Sequence, residues 1–301
     1  MRTLQVLIKR NAKLFFKDKG MFFTALITPA ILLLLYATFL GNIYRESFTA
    51  ALPELLRVPQ RLIDGFVGGQ LISSILAVSC VTVAFCSNIL MVQDKANGSI
   101  KDLRISPVRP SILAMGYYFA SLISTLLICL TATGLCLAYV ALVGWYLSAA
   151  DVLLIVLDVF LLTLFGTALS SIVHFFLSTQ GQISAVGAVI SAGYGFICGA
   201  YMPISQFSPG LRNVLTFLPG TYGTSLLRNH AMGGVFLEME NTGIPTEVVE
   251  GLKDTVDGNL YFFGSKVEPL SMYLILGGAT AALIVVYILM HALKKKQPSG
   301  K

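Results

Sequence analysis

The chain has 301 residues, of which 55% are hydrophobic and only 12% charged, about half the roughly 25% charged content of an ordinary soluble domain. So few charges cannot coat a soluble surface, which excludes a soluble globular domain. The formal net charge of +6 is read as a signal of membrane topology and not as a nucleic-acid footprint.

Residues 1–20 hold Arg2, Lys9, Arg10, Lys13, Lys17 and Lys19, while Leu4, Leu7, Ile8, Leu14 and Phe15 recur at roughly helical spacing. That pattern predicts an amphipathic helix lying in the interface against membrane lipids. A first span is expected over residues 22–40. Pro29 inside it is tolerable because neighbouring helices satisfy the carbonyl it frees. The long basic stretch before this run, and the lack of a small-residue cleavage site after it, favour a span over a signal peptide.

Further spans are expected over residues 66–92, 112–143, 152–177, 183–202 and 270–293, each meeting the roughly 20 apolar residues that a bilayer core requires. Pro203, Pro209 and Pro219 interrupt the region after the fifth. Short broken half-helices dipping into the outer side of the membrane are expected there, followed by a soluble stretch over 233–268. Residues 203–269 thus form an outer re-entrant and extracellular segment. The chain as a whole, 1–301, reads as a single all-α membrane domain with six transmembrane helices.

Orientation follows from the excess of Lys and Arg on cytoplasmic loops. The first 20 residues, the segment between the second and third spans (Lys95, Lys101, Arg104, Arg109) and the tail (Lys294, Lys295, Lys296, Lys301) together carry 14 of the 21 basic residues. Both termini are therefore expected in the cytoplasm of a multi-pass protein of the cell (plasma or inner) membrane.

No GxxxxGK[ST] phosphate loop, HExxH zinc helix or GxSxG nucleophile elbow occurs, so neither an ATP site, a resident metal nor a catalytic residue is assigned. Cys80, Cys86, Cys129, Cys136 and Cys198 lie in apolar stretches at spacings suited to neither zinc nor redox pairs, and read as packing residues. His174 and His291 fall near inner span ends and His230 outside, which does not suggest a metal cluster. Asp158 is the one acid well inside a span, where a charge costs on the order of 2.5–3.5 kcal/mol at mid-bilayer. It reads either as a proton- or cation-sensitive site or as a carboxylate hydrogen-bonded within the bundle.

The polar segment 93–110 is the most informative. Gly98 and Ser99 offer a turn and a helix cap, Asp102 and Leu103 the first turn of a short helix, and Pro107 its stop. The order acid, Gly, Ser, acid, Leu, Ser, Pro (Asp94, Gly98, Ser99, Asp102, Leu103, Ser106, Pro107) resembles the coupling-loop signature of ABC-2 type permeases, the membrane subunits of ABC exporters. Asp94 stands where that family usually has Glu, and Ser99 where Thr is common. A second similarity lies in Gly199-Ala200-Tyr201-Met202-Pro203, Pro209-Gly210-Leu211, Leu218-Pro219-Gly220-Thr221-Tyr222 and Leu227-Arg228.

The resemblance implies a permease subunit of an ATP-driven exporter, moving substrate outward. It implies two six-span units, a second copy or a paralogue, around one path. A separate cytoplasmic ATPase subunit would hold ATP and Mg, with no cofactor in this chain. The seven residues of the coupling loop would receive the ATPase, with the amphipathic helix as a second wall. Spans two and five would line the path, making Ser73, Ser74, Cys80, Thr82, Asn88, Ser184, Ser191 and Tyr194 candidate lining residues, although such small polar residues also pack helices together. Two other readings stand beside it. One is a secondary transporter driven by an ion gradient through Asp158; the other is a lipid-modifying membrane enzyme using Asp94 and Asp102. The cargo stays open between a drug, a lipid-linked glycan, a peptide and a lipid.

Overall fold

A computed structural model of the chain describes residues 2–35, 38, 39, 41–51, 58–105 and 108–294. Ser106 and Pro107 lie outside the described residues, as do residues 36, 37 and 40 of the expected first span. The helices are α1 (Arg2–Lys17), α2 (Lys19–Leu35), α3 (Gly41–Ala51), α4 (Gln60–Ser87), α5 (Leu90–Ala96), α6 (Ser99–Ile105) and α7 (Pro110–Val143). They continue with α8 (Ala149–Phe176), α9 (Gln180–Ile197), α10 (Pro209–Leu215), α11 (Pro219–Asn241), α12 (Thr246–Thr255) and α13 (Pro269–Lys294).

The bundle is organised around α4. From Leu62 to Ser87 only Asp64 and Cys86 escape burial, as expected of a helix that is apolar on every side. Helices α7, α8 and α11 pack around it, and α2, α3 and α9 complete the enclosure. Glycines let backbones approach closely, as small residues do between membrane helices. A Cβ on Gly166 of α8 would sit 2.8 Å from the Cys80 carbonyl oxygen, and one on Gly69 of α4 would sit 2.7 Å from that of Ala231. Helix α13 lies outside this ring on α8, α11 and α7.

Among the described residues four helical stretches are long and apolar enough to cross a membrane: Gln60–Ala96, Pro110–Val143, Ala149–Phe176 and Pro269–Leu293. The chain is thus a multi-pass, all-α membrane protein. Helices α2 and α9 occupy the expected first and fifth spans but are shorter, with 17 and 18 residues. The expected second span is a long helix broken at Asn88 and Ile89, so that α5 continues its course at a slight offset. Two helix starts follow from local chemistry: Ser148 with Asp151 and Thr179 with Gln182 form reciprocal capping boxes at α8 and α9.

The N-terminal α1 buries Leu7, Asn11 and Phe15, one residue per turn along a single face. It rests on the start of α7, where Gly116 makes room: a Cβ there would stand 2.9 Å from the Leu7 Cβ.

After α9 the chain is broken into short helical pieces, a 3-10 turn at Ile204–Gln206 and the seven-residue α10, in line with the expected broken half-helices, but it departs from the expected soluble stretch from residue 233. Pro209 and Pro219 each stand at the first turn of a helix, where proline's missing N–H costs nothing; they start elements and do not break them. Helix α11 then runs unbroken for 23 residues through Gly233 and Gly234. Gly234 serves contact, since a Cβ on it would overlap the Tyr146 carbonyl oxygen. Beyond them Val235, Phe236 and Met239 belong to the main core. Only α12 and a small antiparallel hairpin, β1 (Tyr261–Phe262) and β2 (Ser265–Lys266), lie past it before α13. Phe263 and Gly264 turn the hairpin at φ 48° and 86°, the paired positive values of a two-residue turn.

Gly234→Ala is expected to lower stability by about 1–3 kcal/mol, as overpacking does. Gly233→Ala, whose methyl would meet nothing nearer than Asp151 Oδ1 at 3.8 Å, should leave it unchanged or slightly raised. Melting temperatures of the two purified variants in detergent check this.

Candidate functional site

One end of the bundle gathers α1, α5, α6 and the start of α7, with their many basic residues. Its geometry turns on two adjacent residues of α5. Asp94 is 6% exposed and accepts from both guanidinium nitrogens of Arg10, at 2.7 and 3.2 Å, and from the Tyr117 hydroxyl at 2.6 Å. This bidentate fork is a strong, directional arrangement, and the hydrogen bond to Asp94 raises the Arg10 pKa above its already high value. It clamps α1 and α7 to α5.

Lys95 reaches the other way. Its Nζ donates to the carbonyls of His174, Phe175 and Leu177 at 2.8, 2.7 and 2.9 Å, and lies 5.7 Å from the centre of the Phe175 ring. Those carbonyls lie at the end of α8, where backbone donors run out (His174 also accepts from the Leu177 amide at 3.2 Å), so a cation there satisfies them and complements the helix dipole. Asp94 and Lys95 together tie α5 to three helices.

The chain then turns through Gly98 at φ 80°, a conformation that favours glycine, and the Lys101 amide donates to the Gly98 carbonyl at 2.9 Å. Ser99 opens α6 and Asp102 lies in its first turn. Leu103 packs inward beside the α1–α7 cluster. Lys101 and Asp102 are exposed, and Ile105 is 84% exposed. Between α1 and the α5–α6 turn lies an open cavity of about 430 Å³, lined among others by Arg10, Lys17, Asp94, Asn97 and Ser99. Asp94 is thus an internal anchor while Asp102 faces out; the two acids do not form one site.

The expected lining residues divide. Ser73, Ser74, Cys80, Thr82 and Asn88 of α4 are each at most 1% exposed, enclosed within a single chain. Asn88 is a packing hub: its Nδ2 donates to Ser170 and Ser171 at 3.1 and 2.8 Å, and Ser121 donates to its Oδ1 at 3.0 Å. Ser184 and Ser191 of α9 are exposed, while Tyr194 is buried over Gly220. The structure does not bring the two groups to a common opening among the described residues.

At the opposite, acidic end, Asp158 is fully buried. His230 of α11 contacts one oxygen at 2.6 Å and Tyr273 of α13 donates to the other at 2.7 Å. Asp158 is therefore a carboxylate hydrogen-bonded within the bundle, and His230 is its partner and not an outlying loop residue. Arg228 of α11 is also buried; it donates to Asp257 and to the Gly199 carbonyl. Asp257 in turn accepts from the amides of Ile204 and Ser205, pinning the turn after α9. Sequence reasoning missed His230, Arg228 and Asp257 as partners, because each pairs across tens of residues with no local pattern. Among the described residues no group of three His, Cys, Asp or Glu is arranged to hold a metal.

On the nearby surface, hydrogen bonds from Lys253 and Asn259 pull the Glu250 pKa down to about 2. A depressed carboxylate stabilises above its unfolded pKa, near 4.3, and that contribution disappears as pH falls toward 2. Because the side chain is 41% exposed, the effect is small. Amide hydrogen exchange should show α12 and the hairpin loosening below about pH 4 in wild type, and little pH dependence there in Glu250→Gln.

Asp94→Asn leaves Arg10 without its charged partner, a loss of about 1.5–3 kcal/mol for charge-assisted bonds. Limited proteolysis should then release α1 while the core helices stay protected. Arg10→Lys keeps the charge but not the fork and should fall between the two.

The family model of ABC-2 type transporters matches residues 2–231, from the first residue of α1 to Ala231 in α11. A search among curated proteins finds no match. The matched stretch covers most of the chain and includes α1, the clamped α5–α6 turn and the central α4. The chain belongs to the ABC-2 type transporter family, as a permease subunit of an ABC transporter.

Proposed function

We propose that this subunit works as the permease of an ATP-driven exporter and receives its driving force through α6 from a separate cytoplasmic ATPase that binds ATP and Mg. The observation that carries this reading is the pairing of a rigid root with an outward face. Asp94 and Lys95 fix α5 to α1, α7 and α8, while α6, one glycine turn away, presents Lys101, Asp102 and the 84%-exposed Ile105. An isolated apolar side chain of that size gains about 1.5–3 kcal/mol when a partner covers it. The cavity between α1 and α5–α6 supplies a second wall.

On this reading α2 and α9 complete six spans, the basic end faces the cytoplasm of the plasma or inner membrane, and a second copy or paralogue pairs with the chain. Ser184 and Ser191 on the open face of α9 then look toward the partner or the path. The α4 residues would line a path only after the surrounding helices separate. ATP-driven closure of the ATPase pair shifts the population between permease arrangements, and the outward direction of transport follows from that coupling. Asp158 is engaged by His230 and Tyr273, which favours a bundle-holding role over ion coupling.

Asp102→Lys combined with Ile105→Asp should weaken binding of the purified cognate ATPase by at least about tenfold and abolish its stimulation, without lowering the melting temperature. Proteoliposomes holding both subunits should move substrate with ATP and not with an ion gradient alone. Unchanged stimulation in the variant, or transport driven by the gradient, would contradict the proposal.

A further inference from the structure

At the acidic end of the bundle a cavity of about 460 Å³ opens between α3, the first turns of α4, the turn after α9 and α12, within the roughly 300–1,000 Å³ range of small-molecule sites. Its walls include Tyr44, Phe48, Phe66, Tyr201, Met202 and Val256, with the Phe48 and Phe66 rings 4.4 Å apart. Among the described residues no Asp, Glu, Lys or Arg lines it. It lies far from α6: Gln70 and Asp94 are separated by 24 positions along a nearly continuous helix, about 36 Å at 1.5 Å per residue.

Three uncharged polar side chains, Gln70, Gln206 and Thr255, join the tyrosines in this otherwise apolar surface. Gln70 is fully buried; its amide NH2 faces the Tyr44 hydroxyl oxygen, and its Oε1 meets no donor. The neighbouring Tyr44 hydroxyl spends its proton on the Tyr201 carbonyl at 3.4 Å, so it has none for the amide oxygen. A buried amide oxygen without a donor is destabilising, whereas an apolar residue of similar shape there is nearly neutral or stabilising. On a helix otherwise filled with Leu, Ile, Val and Ala, leucine would serve packing better. Gln70 thus holds an unused acceptor at the wall of a cavity that no charged side chain lines among the described residues.

We infer that this cavity binds a neutral amphipathic molecule bearing an amide, whose N–H donates to Gln70 Oε1 while its apolar chain lies against the aromatic walls. A carboxylate or ammonium would enter without a counter-charge and be penalised. An ester, lacking the N–H, would leave Oε1 unmet. The site belongs to the permease alone and does not depend on how the subunit is energised.

The test uses the purified protein in lipid nanodiscs, without ATPase, photolysed with a diazirine-bearing dodecanamide and mapped by mass spectrometry. Labelling should concentrate in residues 43–48 and 201–206. Dodecanamide should compete at least about tenfold better than methyl dodecanoate. Gln70→Leu should lose labelling about tenfold while melting at or above the wild-type temperature. Equal competition by the ester, undiminished labelling of Gln70→Leu, or label spread over the exposed faces of α7 and α13 would overturn the inference. So would a lower melting temperature of Gln70→Leu, which would show that the fold itself uses the amide.

Discussion

Two neighbouring residues of opposite charge hold the basic end of this protein together. Asp94 takes the guanidinium of Arg10 and the hydroxyl of Tyr117; Lys95 takes three carbonyls at the end of α8. Because consecutive residues on a helix point in different directions, one short helix is anchored on two sides at once. Each charge is met by several hydrogen bonds, the condition under which a partly buried ion pair is retained without a large desolvation loss. The helix that follows inherits a fixed position, so that on the proposed reading a push on α6 would be transmitted to α1, α7 and α8 instead of being absorbed by a loose loop.

The central α4 connects that end to the other. Its enclosure comes from glycines that admit neighbouring backbones and from small hydroxyl residues that bond back to their own helix, as Ser73 does to the Gln70 carbonyl and Thr82 to that of Val78. Asn88, at the break before α5, joins α4 to α7 and α8. A displacement of α5 therefore reaches the bundle through Asn88 as well as through α8. At the far end, Asp158 with His230 and Tyr273, and Arg228 with Asp257, fasten α8, α11, α13 and the turn after α9 to one another.

Much of the helix layout was legible because apolar run length and a few local signals determine it. Capping boxes set the starts of α8 and α9 and Pro110 that of α7, whereas Pro209 and Pro219 read from sequence as interruptions and stand in the structure at the starts of α10 and α11. The Gly98–Ser99 turn and α6 follow from the same kind of local chemistry. The site was legible in residue type but not in partnership. The sequence marks Asp94 as unusual, yet its partner Arg10 is 84 positions away, and nothing local distinguishes an acid that faces a partner protein from one that faces inward. The same holds for Asn88, read as a lining residue and found bonding across to Ser170 and Ser171. Nothing local shows that the chain stays helical through Gly233 and Gly234; the close approach of Tyr146 to Gly234 appears only in the structure.

The account rests on α6 meeting a soluble motor on the cytoplasmic side. Ile105→Cys tests that most directly, using a membrane-impermeant maleimide on intact cells and on inverted vesicles; four of the five native cysteines are buried and Cys86 is partly so. The account predicts labelling only in inverted vesicles, and protection when the ATPase is added. Labelling of Ile105→Cys from outside intact cells would place α6 beyond the reach of any cytoplasmic ATPase and contradict it.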